Sequence, residues 1–221
     1  MQKENFNPLL YNYKDSVFLD KLEITLFGPD LLNLYNYCNG FDKKTIINIF
    51  ENLLPKIEYL SQKKVIHRDI KPENITWGII NSGSILNFNE LYLIDYGESI
   101  SLEEIENDIN QDKRNFRCGT PRYMSINCHK NLLPTSLDDI ESLLYSLMYL
   151  AKIDLPWINM DFPNILKNKE ILRLKENMDI VGLCGKEYEF LAKIYIYLKK
   201  VREGKNTLNF EVLRELLKME K

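Results

Sequence analysis

The hydrophobic positions of this chain change their period several times, and each change predicts an element. Between Asp42 and Gln62 the sequence reads KKTIINIFENLLPKIEYLSQ after the aspartate. Its Ile46, Ile47, Phe50, Leu53, Leu54, Ile57 and Leu60 recur at three- and four-residue intervals, which predicts an amphipathic helix capped by Asp42. Pro55 inside it removes one backbone hydrogen bond and predicts a kink there. Upstream, SVFLDKLEITL (Ser16 to Leu26) is β-branched and partly alternating, the pattern of one or two strands. Gly28-Pro29-Asp30 breaks that pattern and opens LLNLYNYC, a short helix with Asp30 as its N-cap. Past the long helix come three short apolar strands, VIH, ENITWGI and ELYLID, with NSGS in the turn between the last two.

From Ser99 to Arg117 charges are many and periodicity is weak, so a long exposed loop is expected. Beyond it the pattern is helical: SLDDIESLLYSLMYL, capped by Ser136, then EYEFLAKIYIYLKKV and NFEVLRELLKM. The prediction is a small strand-containing front on a large helical body with no linker.

Composition narrows this picture without changing it. A chain of 221 residues suits one domain, or two small lobes sharing a core. The formal net charge of −3 supplies no global attraction for nucleic acid or an anionic membrane. Cys38, Cys118, Cys128 and Cys184 are widely spaced with no CxxC pair, which suggests neither zinc nor a disulfide framework. They are expected to be reduced thiols buried as small hydrophobes. No apolar run has the length of a membrane span and the first residues lack a signal-peptide core, so cytoplasm or nucleus is the expected location.

Chemistry enters with VIHRDIKPENI (Val65 to Ile75) and LYLIDYGES (Leu91 to Ser99). Phosphoryl transfer needs the nucleophile aimed and the phosphoryl charge neutralised, with little covalent help. Asp69 would accept the hydrogen bond of a substrate hydroxyl and aim it, and Lys71 would place a positive charge on the γ-phosphate. Asn74 would give Mg²⁺ a hard oxygen and Asp95 a second, charged one. Gly97 would let the backbone turn away after that ligand. Two separate motifs in the right order, each after a strand, make the signal specific.

The chain resembles the protein kinases and, among them, the casein kinase I family, from about Leu22 to the C-terminus. LFGPDLLNLYNYC is similar to that family's hinge and following helix; CGTPRYMSINCH carries its Ser-Ile-Asn; DDIESLLYSLMYL and DLPW are further matches. The resemblance implies an α+β, mainly α fold: a protein-kinase-like C-terminal lobe over residues 28–221, with residues 1–27 as a remnant of the N-terminal β lobe and hinge. It implies a serine/threonine protein kinase that transfers the ATP γ-phosphate with Mg²⁺ to a protein substrate. Ile24 and Leu26 would lie near the adenine. Asp139 would hold the backbone of the catalytic loop, and Arg68 would face an anion, with activity independent of loop phosphorylation. Arg122, Lys167 and Lys169 fall where the family binds a substrate phosphate, though a solvated helix face accounts equally well for the two lysines. His67 reads as a packing residue and His129 as a structural histidine.

Other features depart from the family. The sequence contains no GxGxxG and no lysine in a V-A-I-K-like strand, and Lys3, Lys14 and Lys21 stand too close to LFGP for that role. The expectation is a chain that begins near the last strands of the N-terminal lobe, with weakened nucleotide alignment. Tyr96 replaces the usual Phe, and Leu144 stands where the family has Gly. The stretch after Ser99 is acidic at Glu103, Glu104, Glu106 and Asp108, against the basic character of the family there. Three readings follow: a kinase, completed by a protein partner or by an upstream segment that supplies the missing lobe; a catalytically impaired scaffold that binds a partner through the uncovered face; or, more weakly, a truncated product with no stable function.

Overall fold

The computed structural model describes residues 26–81, 84–106, 115–160 and 165–218. Apart from Leu26, the strands expected in Ser16 to Leu26 lie outside the described residues. Helices α1 (Leu31–Cys38) and α2 (Lys43–Gln62) start where the sequence places them, because each has an aspartate to take its orphan amides. Asp30 accepts from the Asn33 amide at 2.8 Å, and Asp42 from the Thr45 amide at 2.8 Å. α2 continues through Pro55, which sits on its exposed side. Its apolar stripe is completely covered, and truncating a residue such as Leu53 would cost about 2–5 kcal/mol.

The strands form two antiparallel pairs. β1 (Val65–Ile66) pairs with β4 (Ile100–Ser101), and β2 (Ile75–Asn81) pairs with β3 (Ser84–Leu93) as a hairpin. The predicted exposed loop from Ser99 is therefore ordered at its start. Ile100 and Ser101 take the free edge of β1, and α3 (Leu102–Glu106) follows, anchored by buried Ile105. The segment before α1 lies along β2, with the Gly28 amide donating to the Gly78 carbonyl at 3.1 Å and Trp77 to Pro29 at 3.0 Å.

The helical body centres on α5 (Ser136–Leu150), which is buried on nearly every side and so sits in the middle of the core. Its cap is Thr135, one residue ahead of the expected Ser136. The Asp138 carboxylate accepts from the Thr135 amide at 2.7 Å, the return half of a capping box, while the Ser136 hydroxyl reaches Ser61 on α2 at 2.6 Å. Around α5 stand α2, α4 (Ile126–His129), α6 (Ile165–Glu176), α7 (Ile180–Cys184), α8 (Glu189–Arg202) and α9 (Phe210–Lys218). An Arg214–Glu58 ion pair ties α9 back to α2. No helix among the described residues is long and apolar enough to cross a membrane.

Candidate active site

The site begins with the first turn of α5. Asp139 follows the capping acid, so the cap geometry drives its carboxylate inward, where it is fully buried. There it accepts the His67 amide at 2.8 Å and the Arg68 amide at 2.9 Å, fixing the entry to the loop after β1. Burial pushes the Asp139 carboxyl up to about 7, against the pull of those two amides. Arg68 is left-handed at φ 69°, an uncommon state for a side-chain-bearing residue, and it swings the next residue out of the β1 direction.

That next residue is Asp69. Its Oδ2 accepts from Lys71 Nζ at 2.7 Å and Asn74 Nδ2 at 3.1 Å. Its Oδ1 accepts from the Thr120 amide at 3.0 Å and the Thr120 hydroxyl at 3.1 Å. Lys71 Nζ also donates to Thr120 Oγ1 at 3.1 Å, closing a small ring of charge and hydroxyl. Thr120 approaches this closely because Gly119 precedes it. Gly119 has φ 91°, and a Cβ there would lie 2.5 Å from the Arg68 carbonyl.

The β2–β3 hairpin sets the two prospective metal ligands at the same end of its ladder. Ile75 pairs with Leu93 and the Ile94 amide donates to the Asn74 carbonyl at 3.0 Å, so Asn74 lies opposite Ile94, with Asp95 next along the partner strand's exit. Both hydrogen bonds recorded for the Asn74 amide group come from its nitrogen and go to Asp69, leaving the side-chain oxygen as the atom suited to a cation. Asp95 is exposed, and its Oδ1 accepts the Gly97 amide at 3.3 Å. One amide oxygen and one carboxylate, completed by water and phosphate oxygens, fit the octahedral habit of Mg²⁺. Gly97 stands in a turn closed by the Ser99 amide on the Tyr96 carbonyl at 3.0 Å, as the motif suggested, and Asp95 itself adds a left-handed residue at φ 61°.

His67 closes the floor. It is buried, its Nε2 lies 3.1 Å from the Ile94 carbonyl, and its ring packs against Tyr96 with 4.8 Å between centroids. Burial lowers its pKa despite the nearby charges of Asp69 and Asp95, which suits a packing residue and not a base. The Tyr96 hydroxyl is pushed up to about 12 by burial and by the charge of Asp139.

The anion expected at Arg68 comes from this chain: Arg68 Nε donates to the Glu98 carbonyl at 2.5 Å, and the Glu98 carboxylate lies 4.0 Å from the guanidinium. The same carboxylate accepts the Cys118 thiol at 2.7 Å. The four cysteines are free, as expected, but Cys38 is exposed and Cys118 half-buried; only Cys128 and Cys184 are buried.

Asp69, Lys71 and Asn74 thus meet directly, with Asp95 across the hairpin end. Leu26 is 64 % exposed, and Ile24 lies outside the described residues. The Arg122 guanidinium lies 6.0 Å from the Tyr149 ring, Lys169 is exposed on α6, and the side chain of Lys167 lies outside the described residues. Sequence reasoning missed Thr120 and Glu98. Both stand within the quoted stretches, but each meets its partner, Asp69 or Arg68, only through a contact distant in sequence.

Comparison with known families agrees with this geometry. The family model described as "Protein kinase domain" matches residues 19–181, well over half of the chain, and the chain belongs to that family.

Proposed function

We propose that this protein is a serine/threonine protein kinase of casein kinase I type, which transfers the γ-phosphate of ATP, with Mg²⁺, to hydroxyls of a protein substrate. The observation that carries the reading is the constellation at Asp69. Its carboxylate is held by Lys71, Asn74 and Thr120, with a second acid, Asp95, across the hairpin end. In this reading Asp69 aims the substrate hydroxyl, Lys71 moves from Asp69 to the phosphate as charge shifts there, and Asn74 and Asp95 hold the metal. Mg²⁺ would supply charge neutralisation of the phosphate oxygens.

The casein kinase I assignment is supported by the CGTPRYMSINCH and DLPW stretches, and the domain boundaries proposed are residues 1–27 and 28–221. Glu98 beside Arg68 supports activity without loop phosphorylation, because the arginine next to the catalytic aspartate already has an anion.

The test is transfer from labelled ATP to casein with and without Mg²⁺, beside Asp95→Asn, followed by acid hydrolysis of the product. Label on serine and threonine only, absent without Mg²⁺ and in the variant, is the expected result. Folded protein that transfers nothing would favour the scaffold reading, and label on tyrosine would refute the substrate class.

A further inference from the structure

One charged group in the core has no part in the chemistry above. Lys175, on α6, is completely buried. Its ammonium donates to the Pro121 carbonyl at 2.9 Å and to the Met124 carbonyl at 2.6 Å. It stands 4.5 Å from the centroid of the Tyr145 ring and 5.3 Å from that of Trp157, and 3.3 Å from His129 Nε2. The nearest strong acid influence, Glu141, is already committed to Arg202 and to the Tyr145 hydroxyl. Trp157 adds a third tie, its indole N–H donating to the Arg122 carbonyl at 3.0 Å. Three carbonyls within four residues are therefore gripped from beneath by one lysine and one tryptophan.

Burial lowers the Lys175 pKa to about 7, and a methionine would fill the same space without that cost. What the lysine supplies and a methionine cannot is an N–H donor to two backbone carbonyls, which it keeps whether or not the amine is protonated. The segment it grips starts one residue after Thr120, which contacts Asp69 directly. Pro121 and Arg122 are the partly exposed residues of that segment, next in the chain to the Asp69 contact, where a peptide whose hydroxyl is aimed by Asp69 would run.

We infer that Lys175 is a positioning residue for protein substrate, a clamp that fixes the backbone of residues 121–124 from beneath and so sets the outer face at Pro121 and Arg122 along which the peptide lies. This rests on the kinase reading, and it adds a specificity determinant that touches neither ATP nor the reacting atoms.

Lys175→Met should raise the KM for casein at least about tenfold while the KM for ATP stays within about twofold. An unchanged casein KM, or casein and ATP constants rising together, would overturn the clamp. Hydrogen exchange gives a readout that needs no activity. The Tyr123 and Met124 amides, both bonded to the Thr120 carbonyl, should exchange at least about tenfold faster in the variant, with the His67 and Arg68 amides unchanged. Equal exchange in both proteins would refute the inference. Wild-type protein that transfers nothing would sink the kinase reading alone, and exchange would still decide the clamp. Should Lys175→Met fail to fold, Trp157→Phe, which removes only the indole donor and keeps an aromatic ring, must show the same pattern at smaller amplitude; its absence would overturn the proposal.

Discussion

The loop at residues 67–74, the proposed catalytic loop, and the segment at residues 121–129 both hang from the first turns of α5, but they are held in opposite ways. Asp139 grips the first through its backbone, at the His67 and Arg68 amides, and leaves the Asp95 carboxylate at the surface and the Asp69 carboxylate in a ring of side-chain and amide donors. Side chains sealed from water grip the second. Ser125 donates to Asp138 at 2.7 Å, the Ile126 amide reaches Glu141, and Lys175 holds two carbonyls from the far side. The contrast follows from what each region must do. In the proposed reaction the tip of Asp69 has to trade its present donors for a substrate hydroxyl, so the restraint that stays fixed sits in the backbone. A surface that only has to keep its shape can be locked by buried polar contacts, where the low dielectric strengthens each one.

The sharpest way to break this contrast is Asp139→Ala. It leaves two buried amides without an acceptor, and at roughly 1–3 kcal/mol each the loss is about 2 kcal/mol or more of stability. Denaturant unfolding should show that loss, and phosphotransfer should fall with it. An unchanged midpoint would mean the loop is held by something else.

The second segment can be tested through pH. His129 is 2 % exposed, and burial together with the charge of Lys175 lowers its pKa to about 3. The unfolded chain takes up that proton near the ordinary 6.5, so the folded state loses stability as pH falls from 6.5 towards 3. Between pH 7 and pH 5 the loss is about 2 kcal/mol. His129→Gln should remove that share of the acid sensitivity, measured by urea unfolding of both proteins at the two pH values. Asp138, raised to about 6, and Asp139 act in the opposite direction, but they are common to both proteins and cancel in the difference.

A smaller effect separates aiming from holding. Thr120→Val removes the hydroxyl between Lys71 and Asp69 but keeps the amide bond to Asp69, so about 1 kcal/mol, or roughly fivefold in transfer rate, should be lost with the melting temperature unchanged. At the bottom of the scale, the Arg173–Glu170 pair on α6 is solvated, and Arg173→Ala should leave the unfolding midpoint where it was.

Much of this architecture is legible in the sequence because it is local. Asp30 and Asp42 cap their helices through contacts three residues away, and the apolar stripe of α2 repeats within a single turn. The HRDIKPEN and DYG stretches likewise place an acid, a lysine and an amide within a few residues of one another. What escapes such reading depends on conformation or on distance along the chain. Thr135 displaced Ser136 as the cap because Asp138 reaches back to it, and Ser136 found a partner in Ser61 instead. Ile100 and Ser101 look like loop until the open edge of β1 is there to receive them. The turn at Gly97 was legible, but the left-handed state of Asp95 two residues earlier was not. Lys175 reads as one more charge on a polar helix. Only the fold shows that its ammonium is enclosed by Tyr145, Trp157 and the carbonyls of Pro121 and Met124.

The most direct test of the central claim, that Asp69 is the group that aims the phosphoryl acceptor, is the rate of casein phosphorylation by Asp69→Asn against the wild type. Asparagine keeps the shape and an acceptor for Thr120 while losing the charge that orients a hydroxyl. The account predicts a fall of about 10²-fold or more in kcat, with the casein KM and the unfolding midpoint retained. Transfer at the wild-type rate by the folded variant would contradict it.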